Sequence, residues 1–182
     1  MKVQPWKRVE PTVVTKIDYR HMVVKSFMVP GNPKPVTRAT MLHEGATFAG
    51  VIALTPDNQV IIARQFRPGP EKIMEEIPGG GVEPGEDPRS AVLRELQEET
   101  GYVPGAIELL GVSSRESYTN GNWYYYFATD CTLSPGGTHL DEDEQVEVRL
   151  ISIREFIENA KQNKMTDQAA VLYAYDRLTA MS

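Results

Sequence analysis

Three glutamates that lie close together in the chain could bind a metal ion. Glu95, Glu98 and Glu99 occupy positions i, i+3 and i+4, a spacing that places their side chains on one edge of a helix. Like charges at i and i+4 destabilise a helix by roughly 0.2–0.5 kcal/mol, so a bound cation is expected to offset their repulsion. Hard divalent cations take carboxylate oxygens and then bridge to substrate phosphates. The alternative is a solvated acidic face without any chemistry.

The segment that carries these glutamates has the boundaries of a helix. Asp87 followed by Pro88 predicts the first turn, because Asp caps free N–H groups and proline is tolerated at the first helical position. Gly101 predicts the end, because glycine accepts the left-handed conformation that closes many helices. Between these limits, Val92 and Leu96 lie four residues apart and predict an apolar stripe that faces a core.

A glycine-rich segment precedes this helix. Residues 76–81 read Glu-Ile-Pro-Gly-Gly-Gly, which predicts the end of a strand followed by a loop whose backbone can approach a ligand closely. Most glycine-rich loops are only turns, but this one stands at a fixed distance from the acidic helix. Gly80 is followed after five residues by Glu86, and after seven more by the run Arg94–Tyr102. The two features together indicate one site.

The combined pattern resembles the signature of the Nudix hydrolase family. It matches at the fixed glycine, glutamate and arginine positions, and Tyr102 stands where the family usually has an aliphatic residue. The signature covers 23 of the 182 residues. The resemblance implies hydrolysis of a nucleoside diphosphate linked to another group, with Mg²⁺ or Mn²⁺ as the cofactor. It also implies an α/β fold, the α/β/α sandwich with a mixed sheet, which the mixture of strands and helices along the chain predicts as well.

The resemblance assigns roles to the residues of the signature. Glu95 and Glu99 match the principal metal-binding glutamates, and Glu98 matches a further ligand or a group that positions water. The Gly79 carbonyl falls where a backbone oxygen completes the metal shell. The other fixed positions match residues that orient these ligands, as metal sites require, or that are structural: Arg94, Glu86, Gly80 and Gly101.

Residues outside the signature complete the expected site. A carboxylate of segment 141–144 is expected to position or deprotonate the attacking water, Glu144 before Glu142; the alternative is a solvated acidic turn. Arg67 is expected to contact a phosphate or the ribose, because its fork suits bidentate recognition of oxygens, unless it is a surface residue at a strand end. Glu76 is expected to accept ribose hydroxyls or else to pair with a nearby arginine.

Several segments resemble the ADP-ribose and nucleotide-sugar pyrophosphatase branch of the family. They include residues 64–67 (Arg-Gln-Phe-Arg), residues 76–80 and the acidic segment before the last strand. Arg115 and Asn120 are expected beside the substrate, although the pattern usual there is reduced to Thr119-Asn120. ADP-ribose, GDP-mannose and similar nucleotide sugars are therefore all candidate substrates. Dinucleoside polyphosphates and nucleoside triphosphates are the alternative substrates within the family.

The composition restricts the class of protein. The formal net charge of −6 argues against non-specific nucleic-acid binding, which requires a basic patch. No apolar run approaches the roughly 20 residues of a membrane span, and the N-terminus lacks the apolar stretch of a signal peptide. Cys131 is the only cysteine, which excludes an internal disulfide. It also lies outside the expected site, which argues against a cysteine-dependent isomerase. A cytoplasmic protein without nucleic-acid or membrane partners is expected.

Two regions are expected along the chain. Residues 1–45 contain strands with too few inward-facing residues for a core of their own, so this β region is expected to pack on the main domain or to form a homodimer. In the related branch such a dimer is common and often swapped. Residues 46–182 are expected to form the Nudix domain. Its first strands, Thr47–Leu54 and Gln59–Gln65, are expected to make a hairpin, and its last element is a helix over Asp167–Ala180. The residues expected on the apolar face of that helix are Val171, Leu172, Tyr175 and Leu178.

Overall fold

The computed structural model describes residues 6–17, 20–41, 46–67, 70–114, 121–140 and 145–182. The strands in these ranges are β1 Lys7–Ile17, β2 Arg20–Met28, β3 Val36–Met41, β4 Thr47–Ala53, β5 Gln59–Arg67, β6 Lys72–Glu76, β7 Gly79–Gly81, β8 Tyr102–Val103, β9 Ala106–Ser113, β10 Asn122–Thr129, β11 Thr132–Leu133 and β12 Glu147–Ser152. The helices are α1 Pro88–Thr100, α2 Ile153–Lys161 and α3 Gln168–Met181. None of these three helices is long and apolar enough to cross a bilayer.

The larger of two compact units comprises Thr47–Ser113 and Trp123–Ser182. It contains a four-stranded sheet in the order β7-β4-β10-β9 and a three-stranded sheet in the order β12-β5-β6. Strands β4 and β10 run in the same direction: Asn122 N donates to Ala46 O where they begin, and Leu54 N donates to Ala128 O where they end, both at 2.9 Å. The neighbouring pairs β4–β7 and β10–β9 are antiparallel. The first of these sheets is therefore mixed, as the sequence predicted.

Helices cover both faces of this mixed sheet. Successive residues of a strand point to opposite faces, and in β4 one set, Ala49 and Val51, packs in a buried cluster with Val92 and Leu96 of α1. The alternate set, Ile52 and Leu54, packs in a second cluster with side chains of α2 and α3. The residues of that second cluster from the helices include Phe156, Ile157, Ala170, Val171, Ala174 and Leu178. The α/β/α sandwich expected from the sequence is confirmed.

The predicted hairpin of the first two domain strands forms only at its turn. An antiparallel bridge joins Leu54 and Val60, and Thr55 N donates to Gln59 O at 2.9 Å. Beyond this turn the pairing stops, because β4 and β5 belong to different sheets. Consecutive strands are often hydrogen-bonded neighbours, but here each strand has other partners. β4 pairs with β7 and β10, whereas β5 pairs with β6 and β12.

Helix α3 buries a different stripe from the one the sequence suggested. Val171 and Leu178 are buried, as predicted, but Leu172 is 78% exposed and Tyr175 is 40% exposed. The small residues Ala170 and Ala174 occupy the buried positions instead. The face of the helix is set by close packing against the sheet, which favours alanine over larger apolar side chains at these positions.

The smaller unit comprises Met1–Ala46 and Ser114–Asn122. Its described residues contain one antiparallel sheet in the order β1-β2-β3. An irregularity in the β1–β2 register falls between Val9 and Val13, and Trp6 meets Phe27 edge to face, with ring centroids 6.2 Å apart. Val13 and Val14 are 54% and 57% exposed. The prediction that residues 1–45 form a dimerising region stays a prediction.

Candidate active site

Helix α1 begins and ends where the sequence predicted. The Asp87 carboxylate accepts hydrogen bonds from the backbone N–H groups of Arg89 and Ser90, at 3.0 and 3.1 Å, so it caps the first turn. The pKa of Asp87 is lowered, first by the hydrogen bond from the Ser90 hydroxyl and further by these two backbone bonds. At the other end, Gly101 has a φ of 76° and donates its N–H to the Gln97 carbonyl at 2.8 Å. The two caps set where the helix begins and ends, and so determine the helix position of each of its glutamates.

Arg94 of α1 binds most of the acidic groups of the signature. Its Nη1 donates to Glu95 Oε1 and to Glu98 Oε2, both at 2.9 Å. Its Nε and Nη2 donate to the two oxygens of Glu86 at 3.2 Å, and Nη2 also reaches the Gly81 carbonyl at 3.2 Å. The bond to Glu86 is the largest cause of a raised Arg94 pKa and of a lowered Glu86 pKa. One guanidinium thus ties three carboxylates to the glycine-rich segment.

The glycine-rich segment forms strand β7 and lies directly against two of the glutamates. A Cβ atom at Gly80 would lie less than 3.0 Å from the Glu95 carboxylate, so only glycine allows this carboxylate to rest on the backbone. Glu99 is 5% exposed, and its Oε2 accepts the Gly79 N–H at 2.9 Å. A Cβ atom at Gly79 would meet the backbone of Ala49 in the neighbouring strand at less than 3.0 Å. Close backbone approach therefore requires glycine at both positions.

The carboxylates of α1 suit a divalent cation. Within the described part of the chain, no three His, Cys, Asp or Glu side chains converge on one point. Glu95 and Glu98 turn toward Arg94, and Glu99 turns toward Gly79. Their oxygens are nevertheless the hard ligands that divalent cations such as Mg²⁺ prefer, and an arginine that orients them supplies the outer contacts that metal ligands require. Glu95, Glu98 and Glu99 are the residues that could hold the ion.

Arg67 and Glu76 form a second charged pair, across strands β5 and β6. Arg67 Nε donates to both oxygens of Glu76 at 2.9 Å, and its Nη2 donates to Glu76 Oε2 as well. The pKa of Arg67 is raised, first by these hydrogen bonds and further by the charges of Glu76, Glu99 and Asp167. Glu76 is 5% exposed. Of the two expectations for Glu76, pairing with an arginine is observed, and a contact with ribose stays a prediction.

Four expected site residues lie outside the described residues. They are Glu142, Glu144, Arg115 and Asn120. The water-positioning role of the two glutamates and the substrate contacts of the other two stay predictions. One contributor was not expected, the Gly81 carbonyl that accepts from Arg94. Backbone acceptors carry no residue-type signal, so only the glycine run itself could have indicated it.

Cys131 has the properties of a core residue. It is 1% exposed and packs in the cluster that contains the buried residues of α1. Burial raises the pKa of its thiol to about 11. Because the thiolate is the nucleophilic form of cysteine, this residue has no reactive character, in agreement with its expected position outside the site.

A family model and several known proteins are similar to this chain over much of its length. The NUDIX domain family matches residues 46–174. The methanol dehydrogenase activator of Bacillus methanolicus is 33% identical to this chain, with 90% of this chain and 89% of the relative covered. The ADP-ribose pyrophosphatase of Bacillus subtilis is 30% identical, with 81% of this chain and 78% of the relative covered.

A solved structure has the same fold. The crystal structure of an ADP compounds hydrolase aligns with a TM-score of 0.82 over 100% of this chain and 98% of that protein, at 18% identity. At this identity the likeness concerns the fold alone, and it includes the sandwich described above. The family match and the two relatives decide the family. The chain belongs to the Nudix family and is a Nudix hydrolase.

Proposed function

We propose that this Nudix hydrolase cleaves the pyrophosphate bond of ADP-ribose or a closely related nucleoside diphosphate sugar. The products would be a nucleoside monophosphate and a sugar phosphate, and the cofactor would be Mg²⁺, with Mn²⁺ as a substitute. The observation that carries the proposal is the arrangement of Glu95 and Glu99 against the backbone of Gly79 and Gly80. The relatives named ADP-ribose pyrophosphatase support the substrate class.

The charge of the described site supports a dependence on cations. Five carboxylates and two guanidiniums lie in the described site; four of the carboxylates bind a guanidinium, and the fifth, that of Glu99, accepts the Gly79 N–H. They are Glu76, Glu86, Glu95, Glu98 and Glu99, with Arg67 and Arg94. An excess of negative charge at short range repels a pyrophosphate. Divalent cations bound to Glu95, Glu98 and Glu99 would reverse that repulsion.

The reaction would be a displacement at phosphorus by water. Bound to these carboxylates, the cation would lower the pKa of the attacking water and neutralise charge on the phosphates. Arg94 would keep Glu95 and Glu98 in place, and Arg67 would bind a phosphate or ribose oxygen. Glu144, or else Glu142, would accept the proton of the water. A bond forms between the water oxygen and one phosphorus, and the bond from that phosphorus to the bridging oxygen breaks.

Hydrolysis of a substrate panel tests this function. Purified protein with Mg²⁺ would be incubated with ADP-ribose, GDP-mannose, UDP-glucose, diadenosine polyphosphates and nucleoside triphosphates, and the products identified by mass spectrometry. Chelation of the metal and the variant Glu99→Gln serve as inactive controls. Formation of AMP or GMP together with a sugar phosphate is the expected result. Cleavage of triphosphates or dinucleotides alone would show that the substrate class is wrong.

We also propose that the chain is a homodimer through its N-terminal β region. Val13 and Val14 of β1 are both more than half exposed, and a sheet of three strands has little apolar surface of its own with which to cover them. Adjacent residues of a strand point to opposite faces of the sheet, so a second copy of this strand region that packs on either face would cover one of the two valines.

Activation of a methanol dehydrogenase is a second candidate function. The alignment with the Bacillus methanolicus activator covers 90% of the chain, whereas the family match spans 46–174, so the likeness extends into residues 1–45. The test is to add the purified protein to a methanol dehydrogenase and to follow methanol oxidation, with Glu99→Gln as the control. A faster rate with the unaltered protein, but not with Glu99→Gln, supports this function. An unchanged rate with the unaltered protein excludes it for that dehydrogenase.

A further inference from the structure

The C-terminal turn of α1 is covered by a segment from elsewhere in the chain. This capping segment comprises residues 132–139, which follow strand β10. It begins with β11, which pairs antiparallel with β8 directly after the helix, with Leu133 opposite Tyr102. Ser134 N then donates to the Gly101 carbonyl at 2.7 Å. The capping segment therefore lies against the end of the helix that carries the candidate metal ligands.

A tight turn directs the capping segment back to α1. Gly137 N donates to the Ser134 carbonyl at 3.1 Å, and Gly136 N donates to the Ser134 hydroxyl at 3.3 Å. Gly137 has a φ of 68°, in the left-handed region that glycine adopts without strain. The turn also packs closely on the helix end, because a Cβ atom at Gly101 would lie only 3.3 Å from the Gly137 carbonyl carbon. The turn thereby returns the chain to the last residues of α1.

The capping segment ends in a hydrogen bond to a candidate metal ligand. The Glu98 carbonyl is one of the last four of α1, and such carbonyls have no N–H partner within their own helix. The N–H that would come next in the helical pattern, that of Tyr102, donates to the Thr100 hydroxyl at 3.3 Å. His139 N donates to the Glu98 carbonyl at 2.9 Å. A residue distant in sequence thus holds the backbone of Glu98.

We propose that the capping segment positions Glu98 and Glu99 for the cation, with His139 as the positioning residue whose backbone N–H holds the last turn. Both glutamates lie within the last three residues of α1, and helix ends open more readily than helix interiors. A metal site loses affinity when its ligands can leave their productive orientation. The inference rests on the proposed function, because it takes Glu98 and Glu99 to be metal ligands.

A purely structural role for the capping segment makes a different prediction. The rest of α1 is held independently, by the Asp87 cap and by Val92 and Leu96 in the core. Loss of the His139 N–H should therefore loosen the last turn without unfolding the protein. If the segment only stabilises the helix, the loosening should leave metal affinity unchanged. If it positions the ligands, metal affinity should fall together with the protection of the Gly101 N–H from hydrogen exchange.

Binding of Mn²⁺ in the absence of substrate, followed by electron paramagnetic resonance, tests the inference. His139→Pro removes the N–H donor, whereas His139→Ala removes only the imidazole. We expect His139→Pro to raise the Kd for Mn²⁺ about 10-fold or more and to speed hydrogen exchange of the Gly101 N–H. His139→Ala should change neither. Equal Mn²⁺ affinity of the two variants would overturn the inference.

A second pair of variants serves where His139→Pro does not fold. Gly137 and Gly31 both have a positive φ, 68° and 84°, and among the described residues no atom would lie within 4 Å of a methyl group at either. Gly137→Ala strains the turn of the capping segment, and Gly31→Ala puts the same strain into the smaller unit. Only Gly137→Ala is expected to weaken Mn²⁺ binding, by about threefold or more.

The remaining outcomes separate this inference from the proposed function. Unchanged Mn²⁺ binding in Gly137→Ala would overturn the inference, and so would an unaltered protein that binds no Mn²⁺. An unaltered protein that binds Mn²⁺ and depends on His139 in the expected way, but cleaves no substrate of the panel, would contradict the proposed function alone.

Discussion

At the scale of single residues, one guanidinium holds three carboxylates of the site together. Glu86, which precedes α1, and Glu95 and Glu98 of α1 all accept from Arg94, and without it their charges would repel one another. Lysine has the same charge but lacks the planar fork that lets one side chain bind several oxygens in fixed directions. The shape of Arg94, more than its charge, therefore determines where the carboxylates point.

Replacement of Arg94 by lysine tests this conclusion. We expect Arg94→Lys to lower kcat/KM by about 10- to 100-fold, the usual effect of losing an outer partner of metal ligands. The concentration of Mg²⁺ for half-maximal activity should rise as well, because Glu95 and Glu98 are no longer aligned. Arg89→Lys on the exposed side of the same helix is the control and should keep full activity. Equal behaviour of the two variants would mean that Arg94 is only structural.

Glu99 is the carboxylate whose removal should matter most. It is buried and fixed by the Gly79 N–H, and Gln retains an oxygen that can accept this bond. Glu99→Gln is therefore expected to fold normally, with an unchanged circular dichroism spectrum, while kcat falls by at least about 100-fold through loss of metal binding. Glu158→Gln on the surface of α2 is the control. Retained activity in Glu99→Gln would contradict the metal assignment.

At the scale of elements, strand β7 shows why a run of glycines matters at this place. Glycine is depleted in strands because it has no side chain to pack, so the sequence predicted a loop for residues 79–81. The structure makes a short strand of them, paired with β4. Without side chains in the way, the backbone of β7 comes close enough to contact both Glu95 and Glu99. Pairing with β4 holds that backbone in place.

Alanine at the three glycines of β7 should have graded effects. A methyl group at Gly80 would displace the Glu95 carboxylate, a flexible group, so Gly80→Ala should lower activity about 10-fold or more with little change in Tm. A methyl group at Gly79 would meet backbone atoms of β4, so Gly79→Ala should lower Tm as well. A methyl group at Gly81 would have no atom within 4 Å, which makes Gly81→Ala the control. Thermal melts and kcat/KM of the three variants provide the measurement.

The N-terminal cap of α1 makes the stability of the helix depend on pH. Asp87→Ala should lower Tm by about 2–4 °C near neutral pH, whereas Asp87→Asn should not, because Asn caps as well as Asp. The pKa of Asp87 is lowered in the folded protein, so its contribution is complete above the ordinary Asp pKa. It is lost as the pH falls through the lowered value.

Melts of these variants between neutral pH and about pH 3 check the assignment. The advantage of the wild type over Asp87→Ala should shrink as the pH falls below the ordinary Asp pKa, and Asp87→Asn should keep its own advantage throughout. A constant difference between wild type and Asp87→Ala at every pH would show that the carboxylate charge has no part in the cap.

At the scale of the whole molecule, features that depend on neighbouring residues could be predicted from the sequence, and features that depend on distant residues could not. Helix α1 was predicted to the residue because Asp87, Pro88 and Gly101 act on their own neighbours. The pairings of β4 and β5 were not, because a strand's partners depend on distant segments. For the same reason the sequence left two roles open for Glu76; the pairing of β5 with β6 brings Arg67 to it, and the ribose contact stays a prediction. The signature could be recognised from residues that are close in the chain, whereas the contacts of its neighbours became known only from the tertiary structure.

The assembly of the molecule is the remaining prediction at this scale. If the N-terminal sheet forms the dimer, the full chain should have the mass of a dimer in light scattering at micromolar concentration. Val13→Asp combined with Val14→Asp should give a monomer, because buried unpaired carboxylates would oppose association. Leu133→Asp places the same change on an exposed apolar residue of the larger unit and should leave the dimer intact. A monomeric wild type would contradict the dimer, and a dimer that survives in the double variant would move the interface away from β1.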